Sequence, residues 1–293
     1  MMNHTTHGNK WMAISLMLIA PLFLFAQNNT GDMQSKQDEH IDRLTITFSN
    51  EEAPKTLEVH LINGGVTVIG YEGSEAIIEA RSNASRSRDS KNSGRGREGL
   101  RPLLFQTTGL YAEEKNNVLK VGFEKMTVDA DLTIKVPHTI NLKLECINNA
   151  ELVVENVEGE MNVSNINGGV QLKNVSGVVV ANTINGDVVV TLDEVTPEKS
   201  MSFVSMNGDI DVTLPVNTKA DLKMETVNGQ IYSDFDVVMN PVSRDPIVED
   251  RRGEDGITRL SFDKAITGTI NGGGPVFYFK NRSGEILIRK KGN

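Results

Sequence analysis

The chain has 293 residues, of which 38% are hydrophobic, 5% aromatic and 24% charged. This length and apolar content suffice for a sizeable core and exclude disorder throughout. The formal net charge of −9 argues against a general nucleic-acid binder, because a surface that contacts phosphates usually makes a domain basic. A single Cys excludes an intramolecular disulfide framework and a Cys-rich zinc site.

The N-terminal segment has the pattern of a secretory signal peptide. A polar start that ends with Lys10 is followed by an apolar run of 16 residues at 11–26, which Pro21 interrupts and the small residue Ala26 ends. This run is shorter than the roughly 20 residues that a membrane-spanning helix needs. We therefore predict a signal peptide at 1–26 and a polar linker at 27–40. An uncleaved N-terminal anchor is the alternative.

Cleavage of this segment would leave an exported and acidic chain. Without Lys10 the chain carries 29 basic and 39 acidic residues, a net charge of −10. We expect no stable membrane span after cleavage and no nucleic-acid partner. The expected location is the periplasm, the outer surface or the medium.

The rest of the chain, 41–293, is predicted to be one repeat domain. Alternating apolar residues at 41–48 indicate a first strand. One tripeptide then recurs, consisting of an apolar residue, Asn and usually Gly, and successive Asn positions differ by 85, 19, 18, 22, 21 and 43 residues. These spacings indicate a unit of about 20 residues. The Asn residues, all predicted to lie in structural turns, are Asn63, Asn148, Asn167, Asn185, Asn207, Asn228 and Asn271.

Each unit is predicted to begin with a strand after the turn. The third and fifth residues after Asn are apolar in the clearest copies, which is the period of a half-buried strand. After Asn148 and Asn271 this register breaks, and we expect a bulge or a wider turn there. A weaker second corner follows half a unit later, and after it comes another alternating run, with Met161 and Val163 in one copy and Val178 and Val180 in the next. Each unit therefore holds at least two short strands and two corners.

Stacked copies would bury a continuous thin core that one unit cannot form alone. We therefore predict an all-β fold, a parallel β-helix or β-solenoid with coils of roughly 20 residues. Asn-Gly provides the corner residues, and stacked Asn side chains are expected to form a hydrogen-bonded ladder. Because Asn-Gly is also the strongest hairpin pattern, an antiparallel barrel or sandwich of hairpins remains the rival.

These repeats carry a family resemblance. The copies at 166–170, 184–188 and 206–210, preceded by the run 136–148, resemble the putative-adhesin family of β-strand-repeat domains of unknown function, which is similar to the head GIN domains of secreted bacterial proteins. The resemblance covers roughly 57–293. It implies a right-handed parallel β-helix in an exported protein of a bacterial envelope, and it transfers no catalytic residue.

Three segments depart from the repeat. A polar insertion at 82–99 lies in a stretch, 81–101, with seven basic and two acidic residues, a local charge of +5. It is either a solvated loop or an arm for an anionic partner, with the candidate binding residues Arg86, Arg88, Lys91, Arg95 and Arg97. A second break, at 240–256, contains two prolines. The aromatic run at 276–279 is expected to close the core in a terminal coil.

Few residues suggest chemistry. His40, His60 and His138 are scattered without a metal or triad pattern, and Cys146 on an alternating strand is expected to be a buried hydrophobe. Acidic residues in neighbouring copies would be about 4.8 Å apart in a parallel stack and are candidate Ca²⁺ ligands or, alternatively, an exposed acidic turn. These candidates are Asp187, Asp209 and Asp211. We predict no catalytic residue and no cofactor.

The sequence therefore favours a non-catalytic exported protein for adhesion, scaffolding or binding at a bacterial cell envelope or surface. Its expected partner is a surface glycan or a protein. One alternative is a carbohydrate-active β-helix enzyme with a Ca²⁺ site, and another is an envelope-stress binding module. Fold alone does not separate these functions.

Overall fold

The computed structural model describes residues 41–82, 107–148, 151–241, 247–251, 257–261 and 265–292. Within these ranges every regular element is a β-strand, which confirms the all-β prediction. The same ranges contain no helix of the length and apolar character that a membrane crossing requires. The predicted signal peptide, the linker and the basic insertion beyond Ser82 lie outside the described residues.

The described strands are short and follow one another closely. In chain order they are β1 (Ile41–Thr47), β2 (Thr56–Asn63), β3 (Val66–Tyr71), β4 (Glu75–Ser82), β5 (Leu110–Lys115), β6 (Val118–Phe123), β7 (Ala130–Pro137), β8 (Asn141–Asn148), β9 (Leu152–Glu155), β10 (Glu158–Asn167), β11 (Val170–Asn185), β12 (Val188–Val195), β13 (Met201–Asn207), β14 (Ile210–Leu214), β15 (Ala220–Asn228), β16 (Ile231–Ser233), β17 (Val238–Met239), β18 (Ile247–Arg251), β19 (Ile257–Ser261), β20 (Ile266–Ile270), β21 (Val276–Ser283) and β22 (Ile286–Lys290).

Strands from different copies of the repeat pair in parallel. Asn185, for example, is in register with Asn167 of the preceding copy and Asn207 of the following one. The two strands that flank a described Asn-Gly corner form no antiparallel pair with each other. The hairpin alternative is therefore not what the structure shows at these corners.

Two series of parallel strands result. The first series contains the strands that lead into the corner, in the spatial order β6, β2, β8, β10, the second half of β11, β13, β21 and β15. The second series contains the strands that leave it, in the order β7, β3, β9, the first part of β11, β12, β14, β22 and β16. We call a strand of the first series, together with the strand of the second series that follows it in the chain, a rung.

Side chains that point between the two series form the core. The third and fifth residues after Asn are 0–1% exposed in the four clearest copies, as the period of two predicts. Phe203 and Phe279 stack in neighbouring rungs with ring centroids 5.1 Å apart. The alternating run after the second corner lies in β11, where Val179 and Ala181 are buried and Val178 and Val180 point outward.

Spatial order differs from chain order at both ends. Rung β2/β3 lies between rung β6/β7 and rung β8/β9, and rung β21/β22 lies between rung β13/β14 and rung β15/β16. The last rung of the chain is therefore an inner rung, and the prediction that it forms a terminal coil is wrong. Antiparallel strands continue the series at the ends, with β4 on β7, β1 on β4, β5 on β6, β20 on β15 and β17 on β20.

The corner glycine is required by close packing between rungs as well as by its backbone angle. Gly208 has φ of 144°, and a Cβ built there would lie 2.1 Å from the carbonyl oxygen of Gly186 in the neighbouring rung. Gly284 stands in the same relation to Gly208, at 2.3 Å. Because any side chain at Gly208 or Gly284 would meet the backbone of the neighbouring rung, these two corners need glycine.

The two expected irregular turns have different outcomes. The corner after Asn148 includes 149–150, which lie outside the described residues. At Asn271 the connection from β20 to β21 covers 271–275 and is wider than the two-residue corner at 168–169, as expected; it begins with a β-turn in which Gly273 N donates to Ile270 O at 3.1 Å. The break predicted at 240–256 contains strand β18, which forms an antiparallel pair with β19.

Candidate binding face at the Asn-Gly corner

Asn side chains form a hydrogen-bonded ladder along the corner. Each Nδ2 donates to the Oδ1 of the neighbouring Asn, at 3.4 Å from Asn148 to Asn63, 3.3 Å from Asn167 to Asn148, 2.8 Å from Asn185 to Asn167 and 2.9 Å from Asn207 to Asn185. The predicted ladder is thus confirmed for five of the seven Asn residues. These bonds fix the amide orientation, so that the corner presents the same groups at each of these five rungs.

The other two Asn residues differ from the prediction. Ser283 stands next to Asn207 in the stack, and Asn228 follows Ser283. Asn271 lies outside the ladder, where its Nδ2 donates to the backbone oxygens of Val216 and Thr218. The sequence 282–284 is the missed copy of the corner, because it keeps the glycine but replaces Asn by Ser.

A column of exposed aliphatic side chains accompanies the ladder. The residue before each Asn of the first series points outward, and in four rungs it is between 37% and 55% exposed, whereas Ile270, before Asn271, is buried. We call this set the apolar column; in spatial order it is Ile62, Ile147, Ile166, Ile184, Met206 and, beyond Arg282, Val227. Alternation along the strand accounts for this column. In β13, Met201, Phe203 and Ser205 point inward, so Met206 points outward.

Buried polar side chains anchor the corner from inside. Thr183 donates to Gly168 O at 2.8 Å, Ser205 to Gly186 O at 2.9 Å and the amide of Asn281 to Gly208 O at 2.7 Å. The glycine carbonyls of neighbouring corners are therefore held by hydroxyl or amide donors. This arrangement makes the corner a pre-organised surface that needs little ordering when a partner binds.

Two of the three candidate Ca²⁺ ligands bond to backbone. Asp187 Oδ1 accepts from Asp209 N at 2.8 Å, and Asp209 Oδ1 accepts from Glu285 N at 2.8 Å. Each carboxylate therefore caps the turn of the next rung, a role that relieves the repulsion expected between like charges in a stack.

Asp211 has a different partner. It accepts from Arg289 Nε at 2.8 and 3.0 Å, and this hydrogen bond, with the charge of Asp211, raises the pKa of Arg289. Among the described residues no group of three His, Cys, Asp or Glu side chains is placed to hold a metal ion. The structure therefore offers the Ca²⁺ hypothesis no third ligand in that part of the chain.

The reactive residue types are used structurally. Cys146 is 5% exposed, and burial raises the pKa of its thiol to about 12, so the nucleophilic thiolate is scarce at neutral pH. His60 Nδ1 lies 3.2 Å from Glu145 Oε2, and His138 Nδ1 lies 2.6 Å from the backbone oxygen of Asn156. His40 and the candidate residues Arg86, Arg88, Lys91, Arg95 and Arg97 lie outside the described residues.

Another cleft in the described ranges lies away from the Asn-Gly corner. It has a volume of about 570 Å³ and lies between 193–198, 215–219 and 273–275. Its charged side chains have both signs, and Asp193 forms an ion pair with Lys291. No His or Cys lines it.

Comparisons with known proteins give distant structural similarities. No family model matches the chain, and no curated protein sequence is significantly similar to it. A putative cell adhesion protein from Clostridium sporogenes has a TM-score of 0.44 and 12% identity, covering 86% of this chain and 100% of that one. Putative adhesins from Bacteroides fragilis and Parabacteroides merdae have TM-scores of 0.31 and 0.29 and identities of 10% and 11%, each covering 86% of this chain and 97% of theirs.

These solved structures agree with the resemblance to the putative-adhesin family that the repeat indicates. All their TM-scores are below 0.5, so they carry no conclusion about the activity of this chain. Its function has to be argued from its own surfaces.

Proposed function

We propose that this chain is an exported, non-catalytic β-solenoid that mediates adhesion or scaffolding at a bacterial cell envelope or surface. In this proposal the apolar column and the Asn ladder together form the binding face. The partner is a surface protein or glycan, and the chain acts in the periplasm, at the outer surface or outside the cell.

Parallel pairing of equivalent strands supports the solenoid part of the proposal. Corners of successive copies lie in register from Asn148 to Asn207, at intervals of 18 to 22 residues, which is the length of one coil. The right-handed sense follows from the family resemblance and agrees with the strong general preference of parallel connections. A signal peptide at 1–26 accounts for export.

The exposed apolar column is the observation that carries the binding function. The uninterrupted part of the column, from Ile62 to Met206, covers five rungs and, at about 4.8 Å per rung, extends over about 19 Å. Monomeric proteins seldom leave contiguous aliphatic groups in water without a role, and such rows mark interaction sites. Beside the column, the Asn amides provide oriented donors and acceptors that fix the register of a partner.

The test replaces aliphatic side chains in the column and leaves the core intact. The mature chain is measured for retention on bacterial envelope preparations and on polysaccharide-coated beads, with Ile166→Lys/Ile184→Lys as the test variant. Thr191→Lys/Thr213→Lys is the matched control, because it adds the same charge on outward positions of the second series.

We expect the Ile166→Lys/Ile184→Lys variant to lose at least about tenfold in retention, with an unchanged melting temperature. The control should bind as the unaltered chain does. Equal retention of both variants would show that the corner is not the binding face.

Absence of catalysis is tested separately. The mature chain is incubated with a panel of acidic polysaccharides, with and without Ca²⁺, and new reducing ends are measured. We expect none. Turnover that disappears in Asp209→Ala would replace this proposal with the carbohydrate-active alternative.

A further inference from the structure

The outer face of the first series has an uncharged centre. Besides the apolar column, this face carries two rows of outward side chains, at the fifth and the third residue before the corner Asn or Ser283. Over β10, β11 and β13 both rows are uncharged, with Asn162, Val180 and Ser202 in the fifth-residue row and Ser164, Asn182 and Val204 in the third-residue row. Because 24% of the chain is charged and interfaces lack charge at their centre, this patch has the composition of an interface core.

Charged residues border the uncharged centre on both sides. On one side the third-residue row continues with Glu145 on β8 and His60 on β2, and on the other with Lys280 on β21 and Glu225 on β15. His60 Nδ1 lies 3.2 Å from Glu145 Oε2, and Lys280 Nζ lies 3.4 Å from Glu225 Oε2. Because these ion pairs are at the surface, they contribute little to stability and remain available to charges on a partner.

The two borders are complementary to each other. β11 is the middle one of seven strands, in the spatial order β2, β8, β10, β11, β13, β21 and β15. A two-fold axis parallel to β11 that brings two copies face to face places β8 opposite β21, and β2 opposite β15, of the second copy. Residues of one row then meet each other, so Glu145 faces Lys280 and His60 faces Glu225. In the fifth-residue row Glu58 on β2 faces Lys223 on β15.

This arrangement sets no like charges against each other in the two rows. The remaining cation of the fifth-residue row on these seven strands, Lys143, faces the neutral Tyr278. The complementarity follows from the register of the strands and from the sequence alone. Opposite charges around a neutral centre favour one orientation of the partner and disfavour others.

The apolar column is also self-complementary in this arrangement. Ile184 faces Ile184 of the second copy, and Ile166 faces Met206. A two-fold axis along the stack would likewise pair opposite charges, but it would set Ile166 against Glu160 and desolvate that carboxylate without a partner. The axis parallel to β11 is therefore favoured, because it covers aliphatic groups with aliphatic groups.

The size of this face fits a weak dimer. Seven strands at about 4.8 Å spacing extend over about 29 Å, and the six residues from Val178 to Ile184 extend over about 20 Å. The footprint is about 580 Å² per copy or about 1,160 Å² for the pair, slightly more than the roughly 1,000 Å² of a specific interface. A reversible dimer with a Kd on the order of 10 µM is therefore expected.

We propose that the outer face of the first series binds a second copy of this chain in a two-fold dimer, with β8 of each copy against β21 of the other. The dimer rests on the proposed function, since it uses the apolar column, and it names a second copy as a partner of that face. In such a dimer the column is shielded from water until a surface partner displaces the second copy, and the scaffolding role begins with self-association.

Reversal of one charge tests which strands meet. Sedimentation velocity of the mature chain from about 1 to about 200 µM should show a monomer–dimer equilibrium. Glu145→Lys and Lys280→Glu, each alone, put like charges opposite each other twice in the dimer and should weaken it at least about tenfold. Glu155→Lys and Lys173→Glu are the matched controls, because these residues form an exposed ion pair of 3.2 Å on the outer face of the second series. Each control should dimerise as the unaltered chain does.

A mixture of the two weakened variants provides the most specific measurement. When Glu145→Lys in one copy meets Lys280→Glu in the other, both contacts between β8 and β21 again join opposite charges. Fluorescence energy transfer between differently labelled variants should therefore show a heterodimer about as tight as the unaltered dimer, although neither variant dimerises well alone. Restored association also shows that both variants are folded.

Three outcomes would overturn the proposal: a chain that is monomeric at about 200 µM, unchanged dimerisation of both variants, or a mixture that remains monomeric. Retention on envelope preparations separates this proposal from the adhesion proposal. A monomeric chain whose Ile166→Lys/Ile184→Lys variant loses retention would refute the dimer alone. A dimeric chain that passes the mixture test, with retention unchanged in the same variant, would refute the adhesion face alone.

Discussion

The middle of the stack and its two ends are built differently. From β8 to β13, rungs that follow each other in the chain are neighbours in space, and equivalent Asn residues are 18 to 22 positions apart. At each end, one rung lies between two others. Ser283, for instance, is in register with Asn207 and with Asn228. The repeat therefore determines what each rung looks like, whereas it does not determine the order of the rungs.

This difference has a physical consequence for folding and for the edges. Contacts between the middle rungs join residues about 20 positions apart, whereas Phe277 in the last rung is in register with Met201, 76 positions earlier in the chain, which is a long-range contact. The first rung in the chain, β2/β3, and the last, β21/β22, each pair with a neighbouring rung on both sides. Neither presents a free parallel edge of the kind that recruits other chains.

The largest expected effect comes from charging the core of the middle rungs. Val190→Asp should cost more than about 4 kcal/mol or prevent folding, because Val190 is 0% exposed between the two series. Its neighbour Thr191 points outward on the same strand, and Thr191→Asp should change stability by less than about 0.5 kcal/mol. Urea unfolding measures both, and equal midpoints would show that the faces of β12 are assigned wrongly.

A glycine pair compares a corner in the middle with a turn at the end. Gly208→Ala should cost about 3–5 kcal/mol, since the new Cβ meets Gly186 O and the φ of 144° is strained for alanine. Gly272→Ala, at φ of 91° with no heavy atom within 4 Å, should cost only the backbone strain of about 1–2 kcal/mol. Similar losses in thermal unfolding would mean that close approach between rungs is not what requires glycine.

In the Asn ladder we compare Asn185, in the middle of the stack, with Asn228, at one end, and expect smaller losses of stability than for the glycines. Asn185 makes ladder bonds of 2.8 and 2.9 Å, so Asn185→Ala should cost about 1–2 kcal/mol. Asn228 follows Ser283 in the stack and makes no side-chain hydrogen bond to any other described residue, so Asn228→Ala should be within about 0.5 kcal/mol of the unaltered chain. A larger loss at Asn228 than at Asn185, measured by chemical unfolding, would contradict the ladder as a source of stability.

Thiol reactivity reports on the junction between the middle and the inserted N-terminal rung. Cys146 faces Leu61 of that rung, and burial raises the pKa of its thiol from 9.0 to about 12. At pH 8 the folded chain should therefore react with maleimide far more slowly than the chain in urea. Because the folded pKa is the raised one, this group stabilises the fold below pH 9, and the contribution should be lost as the pH rises toward 12. Rapid labelling of the folded chain at pH 8 would indicate that the inserted rung opens easily.

The sequence predicted the middle rungs well. Val188, Val190, Ile210 and Val212 follow their Asn at fixed offsets, and this alternation was sufficient to assign their burial and the ladder of Asn167, Asn185 and Asn207. Local spacing carried this information, because each contact repeats about 20 residues later in the chain.

The ends were not predictable in the same way. Asn271 belongs to a copy of the Asn-Gly tripeptide but lies outside the ladder. Ser283 lies in register with Asn207, although its tripeptide has Ser in place of Asn. Stacking order depends on long-range pairing, which no local pattern encodes.

Disulfide trapping tests the central claim, that the last rung of the chain lies between two earlier ones. In a Cys146→Ala background, Val204→Cys/Lys280→Cys joins outward positions that are in register on β13 and β21, whereas Val204→Cys/Glu225→Cys joins positions two rungs apart. Neighbouring parallel strands are about 4.8 Å apart, and Cα atoms farther apart than about 7 Å cannot be bridged without movement of the backbone. We predict rapid oxidation of the first pair to a single intramolecular disulfide and none of the second. Efficient bridging of Val204→Cys/Glu225→Cys, with none at Val204→Cys/Lys280→Cys, would show that the rungs follow chain order and would contradict this account of the fold.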